Sequence, residues 1–389
     1  MTNITEQHLE YCITDRQREI VEAYIEHGSS QKVAEALGMD AGNVRRTIRI
    51  VKSRAAKSGW SPEHDMVRTV PDGYAVKGTS TLYDDSGNQR LQWVKTSQDR
   101  EHQLEIMREI VSAMTEDVPR ADLTPPPERT QADLLNCYVI TDYHLGMLAW
   151  GEETGADWDT DIAEDLLVRW FRAALASAPD AEMGVLAQLG DFMHWDGMDA
   201  VTPTSGHLLD ADTRFQRLVR VAIRVLRQVV GMMLHKHNRV HLIMAEGNHD
   251  IASSVWLREL FAALYTDEPR VSVELSPDPY YCVEWGDTSL FFHHGHKAKM
   301  GEMDRVVTAK FREVFGRTKY SYGHSGHLHH EHVKETQLMT WKQHRTLAAP
   351  DAHASRHGYS AGREATVEFY SRTQGRVGSA VVTPGMVSE

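Results

Sequence analysis

The sequence predicts a mixed α/β (α+β) protein: a two-sheet β-sandwich flanked by helices, preceded by a small all-α element and a β-hairpin. Three observations predict it. From Leu134 onward, short apolar runs of strand length alternate with longer segments of helical period. Beyond about Val271 the strand-like runs follow one another without helices between them, a pattern of two packed sheets rather than one doubly wound sheet. Before residue 60, three segments of helical period succeed one another, each opened by a capping residue and two of them closed by glycine.

Composition bounds the rest. A chain of 389 residues with 41% hydrophobic and 25% charged residues fills two or three globular domains. No apolar run is long enough to span a bilayer, and Met1 to Glu10 lacks the apolar stretch of a signal peptide. Cys12, Cys137 and Cys282 are far apart and odd in number, which argues against a disulfide framework and for a reducing, cytoplasmic setting. The net charge of -13 speaks against a uniformly basic nucleic-acid-binding body. Residues 41–57 depart from it: Arg45, Arg46, Arg49, Lys52, Arg54 and Lys57 occur there with no acidic residue.

The first 60 residues read as three helices. Thr14 and Gln17 form a capping box, Ile20, Val21, Tyr24 and Ile25 follow helical spacing, and Gly28 ends the helix. Ser30 caps a second helix carrying Val33, Ala34 and Leu37. After Gly38, Asp40 caps a third with Val44, Ile48 and Val51 on one face. Ala34, Gly38 and Val44 have the spacing of a helix-turn-helix: a small residue at the crossing, a glycine turn and a branched packing residue. Asn43, Arg46 and Arg49 could then face a DNA groove, with Arg45, Lys52 and Arg54 near phosphates. A packing or dimerisation module is the alternative.

Residues 61–117 form a connector. Tyr74, Val76 and Thr81 to Tyr83 pair with Leu91, Trp93 and Val94 in a hairpin around a turn at Asp84 to Asn88, and a helix follows from about Gln98 to Met114. Residues 118–133, with Pro119, Pro125, Pro126 and Pro127, read as a linker. The main domain, residues 134–389, alternates strand (Cys137 to Thr141), helix (Ile162 to Ala176), strand (Met183 to Leu189), helix (Asp212 to Leu234) and strand (Val240 to Ala245). Further strands fall near Val271 to Leu275, Tyr281 to Trp285, Leu290 to His293, Thr366 to Tyr370 and Gly378 to Val382.

Five short motifs follow in order, the first four where these apolar runs end: Asp142-Tyr143-His144, Gly190-Asp191, Gly247-Asn248-His249-Asp250, His294-Gly295-His296 and, later, Gly326-His327-Leu328-His329. Loops past strand ends are where distant side chains converge. Together the motifs offer nitrogen and oxygen donors without thiolate, which suits two borderline divalent metals such as Mn, Fe, Zn or Ni rather than Ca. Two such metals clamp phosphate oxygens and supply hydroxide near neutral pH. A nearby histidine, for which His249 is the candidate, can protonate the leaving group or stabilise the crowded transition state. Asp250 either orients the His249 ring or caps a turn.

In these motifs the sequence resembles the calcineurin-like metallophosphoesterase superfamily, over about Leu134 to Pro384. The resemblance implies two divalent ions, Mn foremost, and hydrolysis of phosphodiesters by a metal-bridging hydroxide. It implies Asp142, His144, Asp191 and His329 around one ion, and Asp191, Asn248, His294 and His327 around the other, with Asp191 shared. His249 would lie over the pair as a non-ligand. It favours His294 over His296, with His293 in packing. Within the superfamily the chain looks similar to the nuclease subunit of double-strand-break repair complexes and to helix-turn-helix fusions of bacteriophages.

The chemistry leaves the substrate open. The long loop Phe192 to Asp212 offers His194 and His207 as substrate contacts, and Arg214 heads a helix with Arg217, Arg220, Arg224 and Arg227 that is either a solvated face or a phosphate track. The segment from Asp351 to Arg363 adds His353, Arg356 and His357. The expectation is a cytoplasmic DNA nuclease targeted by its N-terminal helices, with DNA as partner, no membrane, and a homo-oligomer neither required nor excluded. The alternatives are a phosphodiesterase of cyclic or other small nucleotides, and a DNA-binding regulator with a phosphoesterase sensor domain.

Overall fold

The computed structural model describes residues 4–62, 66–67, 74–83, 89–98, 121, 123–197, 199–203, 206–352, 355 and 361–387. The chain divides into two compact units, Met1–Glu109 and Ile110–Glu389.

The first unit opens with a short 3-10 turn, Glu6–Tyr11, followed by α1 (Asp15–His27), α2 (Ser30–Leu37) and α3 (Ala41–Lys57). Local chemistry sets the ends. Thr14 accepts from the N–H of Gln17, and the Gln17 amide reaches back to the N–H of Ile13, one residue beyond the usual box. Ser29, not Ser30, caps α2: it keeps extended backbone and accepts from Lys32 N–H, whereas Ser30 is already helical. Gly28 and Gly38 end α1 and α2 at φ of 69° and 62°, conformations that a Cβ disfavours. Val21, Val33, Val44 and Val51 are fully buried where the three helices meet. Arg54, expected near a phosphate, instead donates to the carbonyl of Tyr11 at 2.6 Å and ties α3 to the first turn. Strands β1 (Trp60–Ser61) and β2 (Met66–Val67) pair antiparallel, as do β3 (Tyr74–Tyr83) and β4 (Gln89–Gln98). The expected turn at 84–88 lies outside the described residues, as does the expected helix at 98–114 beyond Gln98, which is the last residue of β4.

The second unit is built on strands β5 (Gln131–Ile140), β6 (Ala181–Gln188), β7 (Arg239–Met244), β8 (Val271–Val273), β9 (Tyr281–Trp285), β10 (Thr288–Phe292), β11 (Tyr320–Ser325), β12 (His332–Glu335), β13 (Thr340–Gln343), β14 (Ala365–Ser371) and β15 (Gly375–Val382). One sheet runs β15-β14-β5-β6-β7-β8, its last four strands parallel. The other runs β12-β13-β11-β10-β9, with β10, β11 and β13 parallel. Val139, Val185, Ala187 and Ile243 of the first sheet meet Tyr281, Val283, Leu290 and Phe292 of the second in one buried layer.

Helices cover the outer faces. Helix α4 (Thr160–Ser177) packs on α5 (Phe215–Lys236), and α6 (Ile251–Leu264) packs on β7 and β8. Helix α7 (Met300–Lys310), with α8 (Arg312–Arg317) behind it, sets Met303 and Val307 against Phe291 and Trp341 of the second sheet. The expected start of α5 at Asp212 moves to Phe215, with exposed Arg214 at its N-cap. Two arginines of the α5 stripe bind carboxylates of α4: Arg217 meets Asp161 at 2.7 Å and Arg224 meets Glu164. Of the segment expected as a linker at 118–133, the described part is bound within the second unit, and its last three residues already belong to β5. Ala121 N–H donates to the Leu264 carbonyl at 3.2 Å, and Arg270 grips the Thr124 carbonyl. Among the described residues no helix is long and apolar enough to cross a membrane.

Candidate metal centre

Each motif lies just past the C-terminal end of a parallel strand: Asp142 after β5, Asp191 after β6, Asn248 after β7, His294 after β10 and His327 after β11. The chain bends sharply there. The non-glycine residues with positive φ among those described are Asp142 (50°), His144 (47°), Asp191 (51°), His327 (77°) and His329 (55°). Left-handed backbone costs an L-residue about 1–3 kcal/mol and persists where surrounding contacts over-determine it. Strain in this unit is therefore concentrated in one constellation.

The contacts that enforce it are specific. Asp142 Oδ2 accepts from the Thr141 hydroxyl at 2.6 Å and from the His327 N–H at 2.8 Å, while its main-chain carbonyl accepts from Thr346 at 2.6 Å. That packing admits no side chain at Gly326, where a Cβ would lie 1.7 Å from Thr141 Oγ1. At Gly247 a Cβ would lie 1.9 Å from Asp191 Oδ1. Thr141 and Thr346 escape a reading of the sequence, since nothing local marks a threonine as the partner of an aspartate.

The ring nitrogens and carboxylates converge. Asp142, His144 and His329 place ligand atoms within 4.8 Å of one another, and so do Asp142, Asp191, His294 and His327. Asn248 Oδ1 lies 3.3 Å from His294 Nε2. His294 Nδ1–H donates to the Leu189 carbonyl at 2.8 Å, which turns Nε2 toward Asp191 Oδ2 at 3.2 Å and Asp142 Oδ1 at 3.9 Å. A backbone carbonyl on the remote nitrogen is how ligating histidines are commonly oriented.

Electrostatics mark the same point. Burial opposes ionisation of Asp142 and Asp191, yet His329 and His294 beside the first, and His294 with His249 beside the second, hold both well below the usual carboxylate range. Burial opposes a charge on His294 too, but Asp191 and Asp142 push it up to about 10. Two buried carboxylates thus create a strong local demand for positive charge. Asp142 Oδ1 is buried with no hydrogen-bond partner, 3.2 Å from His329 Nε2. An orphaned carboxylate oxygen amid converging imidazole nitrogens fits a divalent cation of borderline softness.

A third group joins His144, His194 and His249. His194, expected as a substrate contact, is 2% exposed and sets its Nδ1 3.2 Å from Nδ1 of His144. Its carbonyl accepts from Nδ1–H of half-buried His249 at 2.9 Å, which leaves His249 Nε2 as the available nitrogen. Asp250 makes no hydrogen bond to that ring. Its carboxylate accepts four main-chain N–H bonds, from Gly247 and Asp191 at Oδ1 and from Phe192 and Met193 at Oδ2. Burial first, then Asp191 and Asp196, push its pKa up, while these donors favour the ionised form.

Other candidates stay apart. His207 and Arg214 are exposed and belong to none of the three groups. His296 is also outside them and stacks on His293, which stacks on Tyr280. Buried His324 hydrogen-bonds His344 and Tyr370, and His330 and His332 are exposed. His353, Arg356 and His357 lie outside the described residues. In the first unit, Asn43, Arg45, Arg46 and Arg49 are all exposed on α3.

The fold and site together define a two-sheet α/β sandwich with a histidine-aspartate centre suited to divalent metal. No known family profile matches the chain, and no curated protein does. Solved structures align with about two thirds of it. They include a conserved uncharacterized protein, a predicted phosphoesterase, from Streptococcus pneumoniae TIGR4 (10% identity, 65% of this chain and 99% of that one, TM-score 0.29). Vps29 complexed with zinc from Entamoeba histolytica gives 12%, 64%, 99% and 0.27. A novel archaeal phosphodiesterase gives 11%, 64%, 99% and 0.32. At these TM-scores the functional reading rests on the geometry of the chain itself.

Proposed function

We propose that the chain is a dimetal-dependent phosphodiesterase. The observation that carries the reading is the coincidence of left-handed backbone with converging donors at Asp142, His144, Asp191, His327 and His329. Asp142, His144, Asp191 and His329 would hold one ion, and Asp191, Asn248, His294 and His327 the other. The ion pair, when bound, would supply Lewis acidity toward the phosphate and a hydroxide near neutral pH. The chain's own residues do the remainder. His249, its Nδ1–H bonded to the His194 carbonyl, would donate the Nε2 proton of its imidazolium form to the leaving alkoxide and be left as the Nδ1–H tautomer. Its main-chain N–H donates to Asp191 Oδ1 at 2.8 Å and keeps that nitrogen beside the carboxylate.

The substrate we propose is DNA. Helices α1 to α3 would act as a helix-turn-helix in which Asn43, Arg46 and Arg49 meet base edges and Arg45 meets phosphate; the exposure of all four supports this. The acidic balance of -13 favours the second reading, a phosphodiesterase of small nucleotides. One comparison separates them. The full chain and a form beginning at Thr130 are incubated with Mn²⁺ and single-stranded DNA, duplex DNA, cyclic nucleotides or bis-p-nitrophenyl phosphate. DNA cleavage that needs the N-terminal unit supports the nuclease; turnover of small esters alone supports the second reading. Salt-dependent DNA binding without turnover of any substrate, in a reconstituted chain without bound metal, sinks the hydrolytic reading.

A further inference from the structure

We infer that Asp196 and Asp250 form a reciprocal clasp that fixes the tautomer and position of His249, which makes both of them positioning residues for proton transfer at this site. The inference rests on the hydrolytic reading above. Each aspartate belongs to one of the two loops that carry Asp191 and His249; Asp250 binds main-chain N–H groups of the Asp191 loop, and Asp196 binds those of the first turn of α6, which continues the His249 loop. Asp250 accepts from Asp191, Phe192 and Met193 across the gap, as well as from Gly247 on its own side. Asp196 returns the arrangement. It accepts from Ala252 N–H, from Ser253 N–H at 2.7 Å and from the Ser253 hydroxyl at 2.6 Å.

Between the two carboxylates lie the contacts that matter for chemistry. The His249 N–H reaches Asp191 Oδ1, and the His249 ring Nδ1–H reaches the His194 carbonyl. The acceptor that decides which nitrogen of His249 keeps a proton is therefore a main-chain oxygen two residues from Asp196. Loss of the clasp frees that end of the loop and lets the carbonyl drift from the ring. Asp196 also caps α6, whose N-cap residue, Asp250, makes no side-chain bond to its own helix. Each carboxylate thus serves its neighbour's loop before its own. A helix cap alone would need only Asp196; the exchange of partners in both directions is what couples the loops.

The test uses the whole chain with Mn²⁺ and two substrates, thymidylyl-thymidine, whose alkoxide needs a proton to depart, and thymidine 5′-p-nitrophenyl phosphate, whose nitrophenolate does not. Asp196→Ala is expected to lower kcat on the dinucleotide about tenfold more than on the nitrophenyl ester, as expected for a lost acid. In a His249→Ala background it should add nothing. Equal loss on both esters, or losses that multiply, would overturn the clasp and leave a plain structural role. Nitrogen-15 NMR of the His249 imidazole reads the clasp without turnover: the wild type should hold the Nδ1–H tautomer and Asp196→Ala a mixture. An unchanged tautomer overturns the inference. If the wild type cleaves neither ester, the hydrolytic reading fails and the NMR result alone decides. Should Asp196→Ala not fold, Asp196→Asn, which keeps one acceptor, carries the same comparisons.

Discussion

Nδ1 of His144 and Nδ1 of His194 face each other at 3.2 Å inside the protein. Burial, then His249, pushes His194 down to about 3; burial, with His249 and His194, holds His144 well below its ordinary value. Both rings are therefore neutral, and one Nδ1 donates to the other. His144 then directs Nε2 toward His329 Nε2, 3.4 Å away. Replacing His194 by Phe removes the partner while keeping an aromatic ring. On the proposed dimetal reading, the affinity for one of two Mn²⁺ ions should fall about tenfold to hundredfold, the range for a lost outer-shell partner. Chelator competition measures it; two unchanged affinities would show that the contact orients nothing.

If the chain is the proposed dimetal phosphodiesterase, His249→Ala should leave both metals bound and remove most turnover of esters with alkoxide leaving groups, by about 10²- to 10⁴-fold. The loss on p-nitrophenyl esters should be much smaller. Steady-state kinetics alongside elemental analysis checks this, and loss of metal in the variant would reassign His249 as a ligand.

Gly247→Ala drives a methyl into Asp191 Oδ1. The two loops must separate, with a stability cost of about 1–3 kcal/mol for overpacking and weakened metal binding. Gly231, in α5, has no heavy atom within 4 Å of an added Cβ, so Gly231→Ala should be neutral or stabilising. Melting temperatures of the pair make the comparison.

Acid should destabilise the second unit through histidines remote from the centre. Burial pushes His237 down to about 4, where it donates from Nδ1 to the Ala181 carbonyl and meets the Tyr138 hydroxyl at Nε2. Burial pushes His324 down to about 4 as well. The unfolded chain binds these protons near the ordinary value of about 6.5, the folded chain only near 4. Stability is thus full above pH 6.5 and declines as pH falls from there toward 4. The loss reaches a few kcal/mol, since each tenfold difference in proton affinity is worth about 1.4 kcal/mol. Urea midpoints at pH 7 and pH 5 should differ less in His237→Gln than in the wild type; equal differences would exclude His237 as a contributor.

If α3 enters a DNA groove, Arg46→Ala and Arg49→Ala should weaken DNA binding, and Arg45→Ala should reduce the salt slope by about one. Binding isotherms at several salt concentrations test it. An unaltered isotherm for all three would leave α3 as a packing element.

Much of the fold was legible because periodicity and capping act locally. Val44, Ile48 and Val51 lie on the buried face of α3, and the apolar runs before Asp142, Asp191, Asn248 and His294 are strands. Strand β11 was not legible. Its residues Tyr320 to Ser325 alternate weakly, and its buried His324 is tolerated only because His344 and Tyr370 satisfy it. Helix α6 was hidden because Ile251–Leu264 is apolar on most sides and begins directly after Asp250. The gathering of the five motifs could be anticipated from their donors. The tasks of His194, Asp196 and Asp250 could not, because the His194 carbonyl meets a ring N–H, and Asp196 and Asp250 meet main-chain N–H groups, that only the folded chain brings near.

The left-handed turns at Asp142, His144, Asp191, His327 and His329 carry a consequence for how this chain can change. Glycine suits each of those backbone positions better than the residue present. Substitutions to glycine there would relieve local strain even as they delete the donor, so heat resistance and hydrolytic competence pull these positions in opposite directions. Selection for robustness alone would erode this centre first. On the proposed reading, a chain that retains all five residues bears a standing thermodynamic handicap that use of the site offsets.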